Sequence, residues 1–206
     1  YRLDSGLIYG NNGELFKRVT YQIKARDLIP EYIAPLVARG TEADIDTTGV
    51  GKQGGEFKLR ELEDVAMSGN TTSRIVREAI KGFAGRKKIL VFSCGVDHGN
   101  EIKETLALHG ETSAAIYGKT EKETRKATVK DFAKQDLRWL INLNIASTGF
   151  NVPSIDGILG ARSTLSKGFH VQSLGRGMRK APGKENCLVL DFARNCLRHG
   201  DIDDLG

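Results

Sequence analysis

The sequence has few cysteines and no pattern among them. The three cysteines in its 206 residues are Cys94, Cys187 and Cys196. Neither a C-x-x-C pair nor the cysteine and histidine spacing of a zinc site occurs, and the four histidines are scattered along the chain. An odd number of cysteines without such a pattern predicts free thiols in a reducing cytoplasm, and no metal site is expected.

The sequence also lacks a long apolar run and a complete phosphate-binding loop. No apolar segment approaches the roughly 20 residues that a membrane-spanning helix needs. No G-x-x-x-x-G-K-[ST] sequence occurs, and the acidic motifs D-E-x-H and D-E-x-D, which would hold Mg²⁺, are both missing. Gly118-Lys119-Thr120 resembles the end of such a loop, but Ser113 stands where its first glycine belongs. A complete nucleoside-triphosphate site is therefore not expected in this chain.

Proline is scarce, and positive charge is only slightly in excess. Four prolines and 24 glycines are spread along the chain, and the longest candidate linker is the glycine-rich stretch 47–57. Apolar residues make up 39% of the sequence, which is enough for one compact core. The net charge of +5 favours an anionic partner, but an ordinary basic surface explains it equally well.

Short apolar runs alternate with amphipathic helical patterns in the part of the chain that follows Phe83. Apolar runs of this length are typical of central strands in a parallel sheet. Their alternation with helices predicts an α/β fold, a parallel sheet with helices on both faces. The predicted strands cover residues 88–93, 113–117, 137–143, 154–159 and 186–192. The predicted helices cover residues 97–109, 120–133, 169–179 and 193–197.

The first 83 residues show weaker patterns. Residues 33–39 predict a short strand, which Pro35 would confine to the edge of a sheet. Residues 57–66 and 72–83 predict two helices, with a break at residues 68–70. The tetrapeptide G-G-E-F at residues 54–57 is similar to the signature of diguanylate cyclases, but the additional acidic residue that those enzymes need is missing. We interpret it as the entry into the first helix.

The strongest functional signal is the sequence Q-S-L-G-R-G-M-R from Gln172 to Arg179. On a helix, Gln172, Gly175, Arg176 and Arg179 lie three or four residues apart, on one face. Gly175 leaves room for a group to approach the backbone. Two planar guanidinium groups and a glutamine suit a phosphate group, whose oxygens match forked donors. The alternative is an ordinary solvated basic face.

This run, Q-x-x-G-R-x-x-R, resembles motif VI of superfamily 2 helicases, and other segments resemble further motifs in the expected order. Ala146–Pro153 reads A-S-T-G-F-N-V-P, follows a predicted strand and is similar to motif V. Ile89–Ser93, followed by a helix, is similar to motif IV, and the stretch from Tyr117 is similar to the segment between the two. The resemblance covers roughly half of the chain, from about Lys87 to Phe192.

The resemblance implies a RecA-like lobe of the P-loop NTPase type, the helicase C-terminal domain, over residues 81–206. Residues 41–80 would form a helical stretch, and residues 1–40 would connect the lobe to a first motor lobe. The chain does not start with methionine, and Tyr1-Arg2 is similar to the residues that follow motif III, so that first lobe is expected before Tyr1. ATP and Mg²⁺ would bind mainly there, and the isolated chain would not hydrolyse ATP.

The resemblance also implies roles for individual residues. Arg179 and Arg176 would be arginine fingers that reach the γ-phosphate of ATP, and Gln172 would orient that phosphate or the attacking water. Asn151 departs from the family, which usually has Asp there, so it keeps an acceptor and loses the charge. The implied ATP-binding residues are Gly149, Asn151 and Gly175, and the implied nucleic-acid-binding residues are Ser93, Cys94, Ser147 and Thr148.

The implied function is that of the second motor lobe of an ATP-dependent nucleic-acid helicase or translocase. Similarity to RadD-like bacterial and phage DNA-repair helicases, which includes Asp191-Phe192 and His199-Gly200, favours single-stranded or branched DNA as the partner. Most contacts would be to phosphates, so binding would depend little on sequence. Two alternatives remain open: a stand-alone nucleotide- or nucleic-acid-binding module without motor activity, and a regulatory lobe that kept the fold but lost the activity.

Overall fold

The protein is built around one parallel sheet that carries helices on both faces. The computed structural model describes residues 21, 23–134, 136–143 and 150–200. The helices are α1 (Ala25–Leu28), α2 (Leu59–Met67), α3 (Thr71–Gly82), α4 (Val96–Leu108), α5 (Lys122–Lys134), α6 (Lys167–Gly175) and α7 (Asn195–His199). The strands are β1 (Leu36–Arg39), β2 (Lys52–Gln53), β3 (Glu56–Phe57), β4 (Ile89–Phe92), β5 (Ser113–Ile116), β6 (Trp139–Asn142), β7 (Gly157–Gly160) and β8 (Cys187–Asp191). None of the described helices has the length and apolar character that crossing a membrane requires.

The main sheet contains six strands in the order β1-β8-β7-β4-β6-β5, and each neighbouring pair is parallel. The fully buried strand β4 lies between β6 and β7, and its first residue, Ile89, pairs with Trp139 on one side and Gly157 on the other. Strand β1 follows Pro35 and pairs with β8 at one edge, which confirms the predicted edge strand. The predicted α/β fold is confirmed. Strands β4, β5 and β8 lie within a residue of their predicted ranges, whereas β6 begins two residues later and β7 three residues later than predicted.

Alternate residues of β4 point to opposite faces of the sheet and enter two separate cores. Ile89 and Val91 belong to the core that also contains apolar residues of α2, α3 and α4. Leu90 and Phe92 belong to the second core, with apolar residues of α5 and α6. Because helices cover both faces, every position of the strand is apolar, and its sequence shows a continuous run and no alternation.

The glycine-rich stretch before α2 forms a β-hairpin. Strands β2 and β3 are antiparallel and pair Gln53 with Glu56, and the two turn residues between them are Gly54 (φ 59°) and Gly55 (φ 78°). Two consecutive turn residues at positive φ are typical of a type I′ hairpin, and glycine adopts this conformation without strain. The prediction that G-G-E-F enters a helix was therefore wrong, since α2 begins at Leu59.

His98, in the first turn of α4, is buried as a neutral imidazole. Its Nδ1 accepts a hydrogen bond from the backbone N–H of Cys94 (3.3 Å), and its Nε2 makes no hydrogen bond to any described residue. The backbone N–H of His98 donates to Oε1 of Glu63 (2.9 Å), so α2 supplies a cap for the start of α4. Burial lowers the pKa of His98 from 6.5 to about 4.

This shift predicts a loss of stability in mild acid. Below pH 6.5 the unfolded chain takes up a proton on His98 that the folded chain does not take up until about pH 4, so acid favours unfolding between these values. At about 1.4 kcal/mol per pH unit, the loss is at most about 3 kcal/mol. His98→Asn keeps an acceptor for Cys94 and does not titrate. Urea unfolding at pH 7 and pH 5 is expected to show a smaller loss in the variant, and equal losses would contradict the assignment.

Candidate functional site

Helix α6 supports the two arginines of the Q-x-x-G-R-x-x-R run. The hydroxyl of Ser166 accepts a hydrogen bond from the backbone N–H of Phe169 (3.2 Å) and caps the start of the helix. Phe169 and Leu174 lie in the second core and hold one side of α6 against the sheet. The helix ends at Gly175, and Arg176 is the capping residue that follows it.

Beyond Gly175, groups from other parts of the chain bind the backbone carbonyls. The carbonyl of Met178 accepts from the backbone N–H of Ala34 (2.8 Å), two residues before β1. The Lys184 ammonium group donates to the carbonyls of Gly177 (2.6 Å) and Arg179 (2.8 Å). Arg179 lies beyond the helix, and the prediction of a helix through residue 179, with all four residues on one helical face, was wrong for this residue.

The side chains of the two arginines nevertheless converge on one backbone carbonyl. Nη1 of Arg176 lies 2.9 Å from the carbonyl oxygen of Phe150, and Nη1 of Arg179 lies 3.1 Å from the same oxygen. Arg179 Nη1 also donates to Oδ1 of Asn151 (2.9 Å). The structure thus joins the end of the motif V-like segment to the motif VI-like turn through Arg176 and Arg179.

No carboxylate in the described part of the chain pairs with the positive charge of the two guanidinium groups, those of Arg176 and Arg179. Arg176 is half-buried, and its guanidinium lies 5.7 Å from the centre of the Phe150 ring. Burial, and secondarily the charge of Arg179, lower the pKa of Arg176 from its usual range. Such a pair suits an anionic ligand.

Gln172 and Gly175 leave the surface beside the arginines open. Gln172 is exposed on α6, one turn before Arg176. A side-chain carbon built on Gly175 would meet no atom within 4 Å, so the backbone there is open to the approach of another group. No described group of His, Cys, Asp or Glu is placed to hold a metal ion.

Ser93 and Cys94 follow β4 as expected, but both side chains are fully buried. The Ser93 hydroxyl donates to the carbonyl of Gly95 (2.9 Å), and the Cys94 thiol donates to the carbonyl of Ala161 (3.0 Å). Burial raises the pKa of the Cys94 thiol to about 12, so it stays protonated. Neither side chain is exposed to solvent in this conformation, and their predicted contacts to nucleic acid stay predictions.

The other predicted residues of the motif V-like segment are Ser147, Thr148 and Gly149, and they lie outside the described residues. Their predicted contacts to a phosphate or to ATP stay predictions.

Lys184 is the residue of this site that the sequence did not reveal. Besides its two bonds to the motif VI-like turn, its ammonium group donates to the carbonyl of Pro153 (3.1 Å). It therefore ties that turn to the segment that carries Phe150 and Asn151. Burial lowers the pKa of Lys184. The only signal in the sequence is its place just after the Pro182-Gly183 turn, which does not distinguish it from a surface lysine.

The part of the chain that contains this site matches a known protein family. Residues 65–181, more than half of the chain, match the family model of the helicase conserved C-terminal domain. The chain belongs to this family. The family match contains β4, α6 and both arginines.

Individual relatives agree with this assignment. A putative mitochondrial ATP-dependent helicase, irc3 of Schizosaccharomyces pombe, is 30% identical over 137 residues, which are 66% of this chain and 23% of the relative. The putative ATP-dependent helicase IRC3 of Saccharomyces cerevisiae is 24% identical over 151 residues, which are 72% of this chain and 22% of the relative. This chain therefore spans less than a quarter of either protein.

Solved structures share the fold. The C-terminal part of the Fun30 ATPase domain superposes with a TM-score of 0.52 at 15% identity, over 61% of this chain and 41% of that one. The E. coli DEAD-box protein SrmB, solved with regulator of ribonuclease activity A, superposes with a TM-score of 0.52 at 13% identity, over 58% of this chain and 70% of that one. The helicase lobe is thus RecA-like, as the sequence resemblance implied.

Gly175, at the end of α6, and Gly177, two residues later, differ in the space around them. This difference predicts opposite effects of alanine substitutions on the free energy of unfolding. A side-chain carbon on Gly177 would lie 2.6 Å from Sγ of Cys187 and 2.8 Å from Cδ1 of Ile158, whereas Gly175 has open space. Gly177→Ala is expected to lower the free energy of unfolding by about 1–3 kcal/mol through overpacking. Gly175→Ala is expected to be neutral or to stabilise by up to about 1 kcal/mol, because alanine favours helix. Urea unfolding followed by Trp139 fluorescence measures both; equal effects would contradict the described packing.

Proposed function

We propose that this chain is the second motor lobe of an ATP-dependent nucleic-acid helicase or translocase. Arg179 and Arg176 act on the γ-phosphate of an ATP molecule that a first lobe holds across a cleft. The observation that supports this most strongly is the convergence of both guanidinium groups on the Phe150 carbonyl, with no acidic partner among the residues that the structure describes. ATP and Mg²⁺ would bind mainly to the first lobe, since this chain has no phosphate-binding loop.

The proposed chemistry is stabilisation of negative charge. An arriving phosphate offers Arg176 and Arg179 charged acceptors in place of one neutral carbonyl, and hydrogen bonds to charged acceptors are roughly twice as strong. Negative charge is spread over the transferring phosphoryl oxygens in the transition state, and fixed donors aimed at them accelerate hydrolysis. The neutral side chain of Asn151 holds Arg179 in place without cancelling its charge.

Gln172 is proposed to orient the γ-phosphate or the attacking water. It lies one turn before Arg176 on α6, and its exposed amide carries both a donor and an acceptor. Gly175, between them, keeps the backbone accessible. Gln172 lies three residues before Gly175 and four before Arg176, the residue that caps the helix, and we propose that an approaching phosphate contacts this surface together with Arg179.

The proposed partner is single-stranded or branched DNA, bound across both lobes. Support comes from the net charge of +5 and from the similarity to RadD-like DNA-repair helicases in the sequence motifs. Ser147 and Thr148 would contact phosphates, so affinity would fall steeply with salt and depend little on base sequence. A role in DNA repair in the cytoplasm is part of the same proposal. The isolated 206-residue chain is proposed not to hydrolyse ATP.

The proposal predicts that Arg179→Ala in the full-length protein cripples ATP hydrolysis. Steady-state turnover with saturating single-stranded DNA is expected to fall on the order of 10²-fold or more, less than the roughly 10³–10⁵-fold attributed to arginine fingers elsewhere, because Arg176 remains. The KM for ATP and the affinity for the strand are expected to change far less, since the finger acts on the transition state. Arg179→Lys is expected to recover little, because an ammonium lacks the planar fork.

Arg74→Ala is the matched control, because Arg74 is an exposed arginine on α3 and takes no part in the site. It is expected to keep wild-type turnover. If Arg179→Ala and Arg74→Ala hydrolyse ATP at similar rates while both remain folded, Arg179 is an ordinary surface residue and the proposed function is wrong.

A further inference from the structure

Several hydrogen bonds of the loop that leads into α6 involve the buried residue Thr164. Its backbone N–H donates to Oδ1 of Asn195 (3.0 Å), and its carbonyl lies 2.9 Å from Nε2 of His199. Its hydroxyl accepts from the backbone N–H of Ser166 (3.0 Å), the residue that caps α6. Thr164 is fully buried, and every polar atom that it has is engaged. Its position therefore determines where α6 begins.

The remaining partner of the Thr164 hydroxyl is Glu56, which comes from the β2–β3 hairpin 108 residues earlier in the chain. The hydroxyl donates to Oε2 of Glu56, and the backbone N–H of Leu165 donates to Oε1 (2.8 Å). One carboxylate thus binds two consecutive residues of the loop. The tight Gly-Gly turn beside Glu56 fixes the hairpin and so limits where this carboxylate can lie.

Helix α7 holds the same loop from the other side. Nδ2 of Asn195 donates to the carbonyl of Arg162 (2.7 Å), and Nη1 of Arg198 donates to the carbonyl of Thr164 (3.3 Å). The Arg198 guanidinium also lies 5.4 Å from the centre of the Phe57 ring, so α7 contacts the hairpin directly. The loop is therefore held between two elements that are distant in sequence and outside the motif VI run.

The loop is linked to the arginines through a short rigid helix. Ser166 caps α6, and the nine residues of α6 lead directly to Arg176. At 1.5 Å per residue the helix is roughly 13 Å long, and a displacement of its first turn is transmitted along it to its end. The bonds of Arg176 and Arg179 to the Phe150 carbonyl, at 2.9 and 3.1 Å, tolerate shifts of only a few tenths of an ångström.

We propose that Glu56 is a positioning residue for the arginine pair: through Thr164 and Ser166 it fixes α6 so that Arg176 and Arg179 meet the γ-phosphate at the correct distance. The inference rests on the proposed function of the two arginines. Glu56 touches neither substrate nor arginine finger; it acts through the loop. Its charge also faces the buried guanidinium of Arg162, which lies 4.6 Å from the centre of the Phe169 ring on α6.

Steady-state ATP hydrolysis by the full-length protein tests this with a double-mutant cycle of Glu56→Ala and Arg179→Ala. Glu56→Ala is expected to lower kcat about tenfold or more, because small misplacements of catalytic groups cost this much, with the KM for ATP within about twofold. In the Arg179→Ala background, Glu56→Ala is expected to cost less than about threefold, because the group that it positions is already gone. Glu104→Ala, an exposed glutamate of α4, is the control and is expected to match wild type.

Each other outcome overturns the inference. If Glu56→Ala lowers kcat by the same factor in the wild-type and the Arg179→Ala backgrounds, it damages the protein generally. If Glu56→Ala keeps the wild-type kcat, the loop needs no carboxylate. If Arg179→Ala itself hydrolyses ATP normally, the proposed function is wrong. The inference, which rests on it, is then wrong as well. If Glu56→Ala lacks the buried-tryptophan fluorescence of Trp139, Glu56→Gln replaces it in the cycle, because it keeps the shape of the side chain and removes its charge. It is judged by the same criteria.

Discussion

The carbonyl oxygen of Phe150 is the acceptor that Arg176 and Arg179 share, and the geometry of the site depends on it. Phe150 is buried in the second core, so this carbonyl has a fixed position. Burial, and secondarily the like charge of Arg179, lower the pKa of Arg176. Because no described carboxylate pairs with either guanidinium group, both stay available in the proposed function for a phosphate.

The rest of the lobe keeps the arginines at that carbonyl. Helix α6 connects β7 to β8. Its apolar face packs in the second core and fixes the distance of the helix from the sheet. Lys184 and the bond between Ala34 and Met178 shape the turn that carries Arg179. The hairpin carboxylate of Glu56 and helix α7 hold the start of the helix. Contacts from four separate parts of the chain thus define the position of two guanidinium groups.

The sequence predicted the sheet well, because a strand buried on both faces must be apolar throughout. The run at β4 has this property, and its ends were predicted within a residue. The motif VI run was found for a similar reason, since its glycine and arginines are set by local spacing and chemistry. The family match includes this run, while the roles of its individual residues stay predictions.

Several features were missed because they depend on tertiary contacts, whereas the error at G-G-E-F concerns a local turn. Local spacing could not show that Ala34 and Lys184 bind the carbonyls of the turn beyond Gly175. Nor could it show that the hydroxyl of Ser93 and the thiol of Cys94 would be buried at the end of a central strand. Glu56 was missed because its partner, Thr164, is 108 residues away. Such contacts are visible only when the strands are assembled.

The most direct test of the central claim is a structure of the full-length protein with ADP and a planar fluoride mimic of the transferring phosphoryl group. The account predicts that the guanidinium groups of Arg179 and Arg176 leave the Phe150 carbonyl and lie about 3 Å from the fluoride atoms, at hydrogen-bond distance. A closed complex in which both remain bonded to Phe150 and far from the fluoride would contradict it.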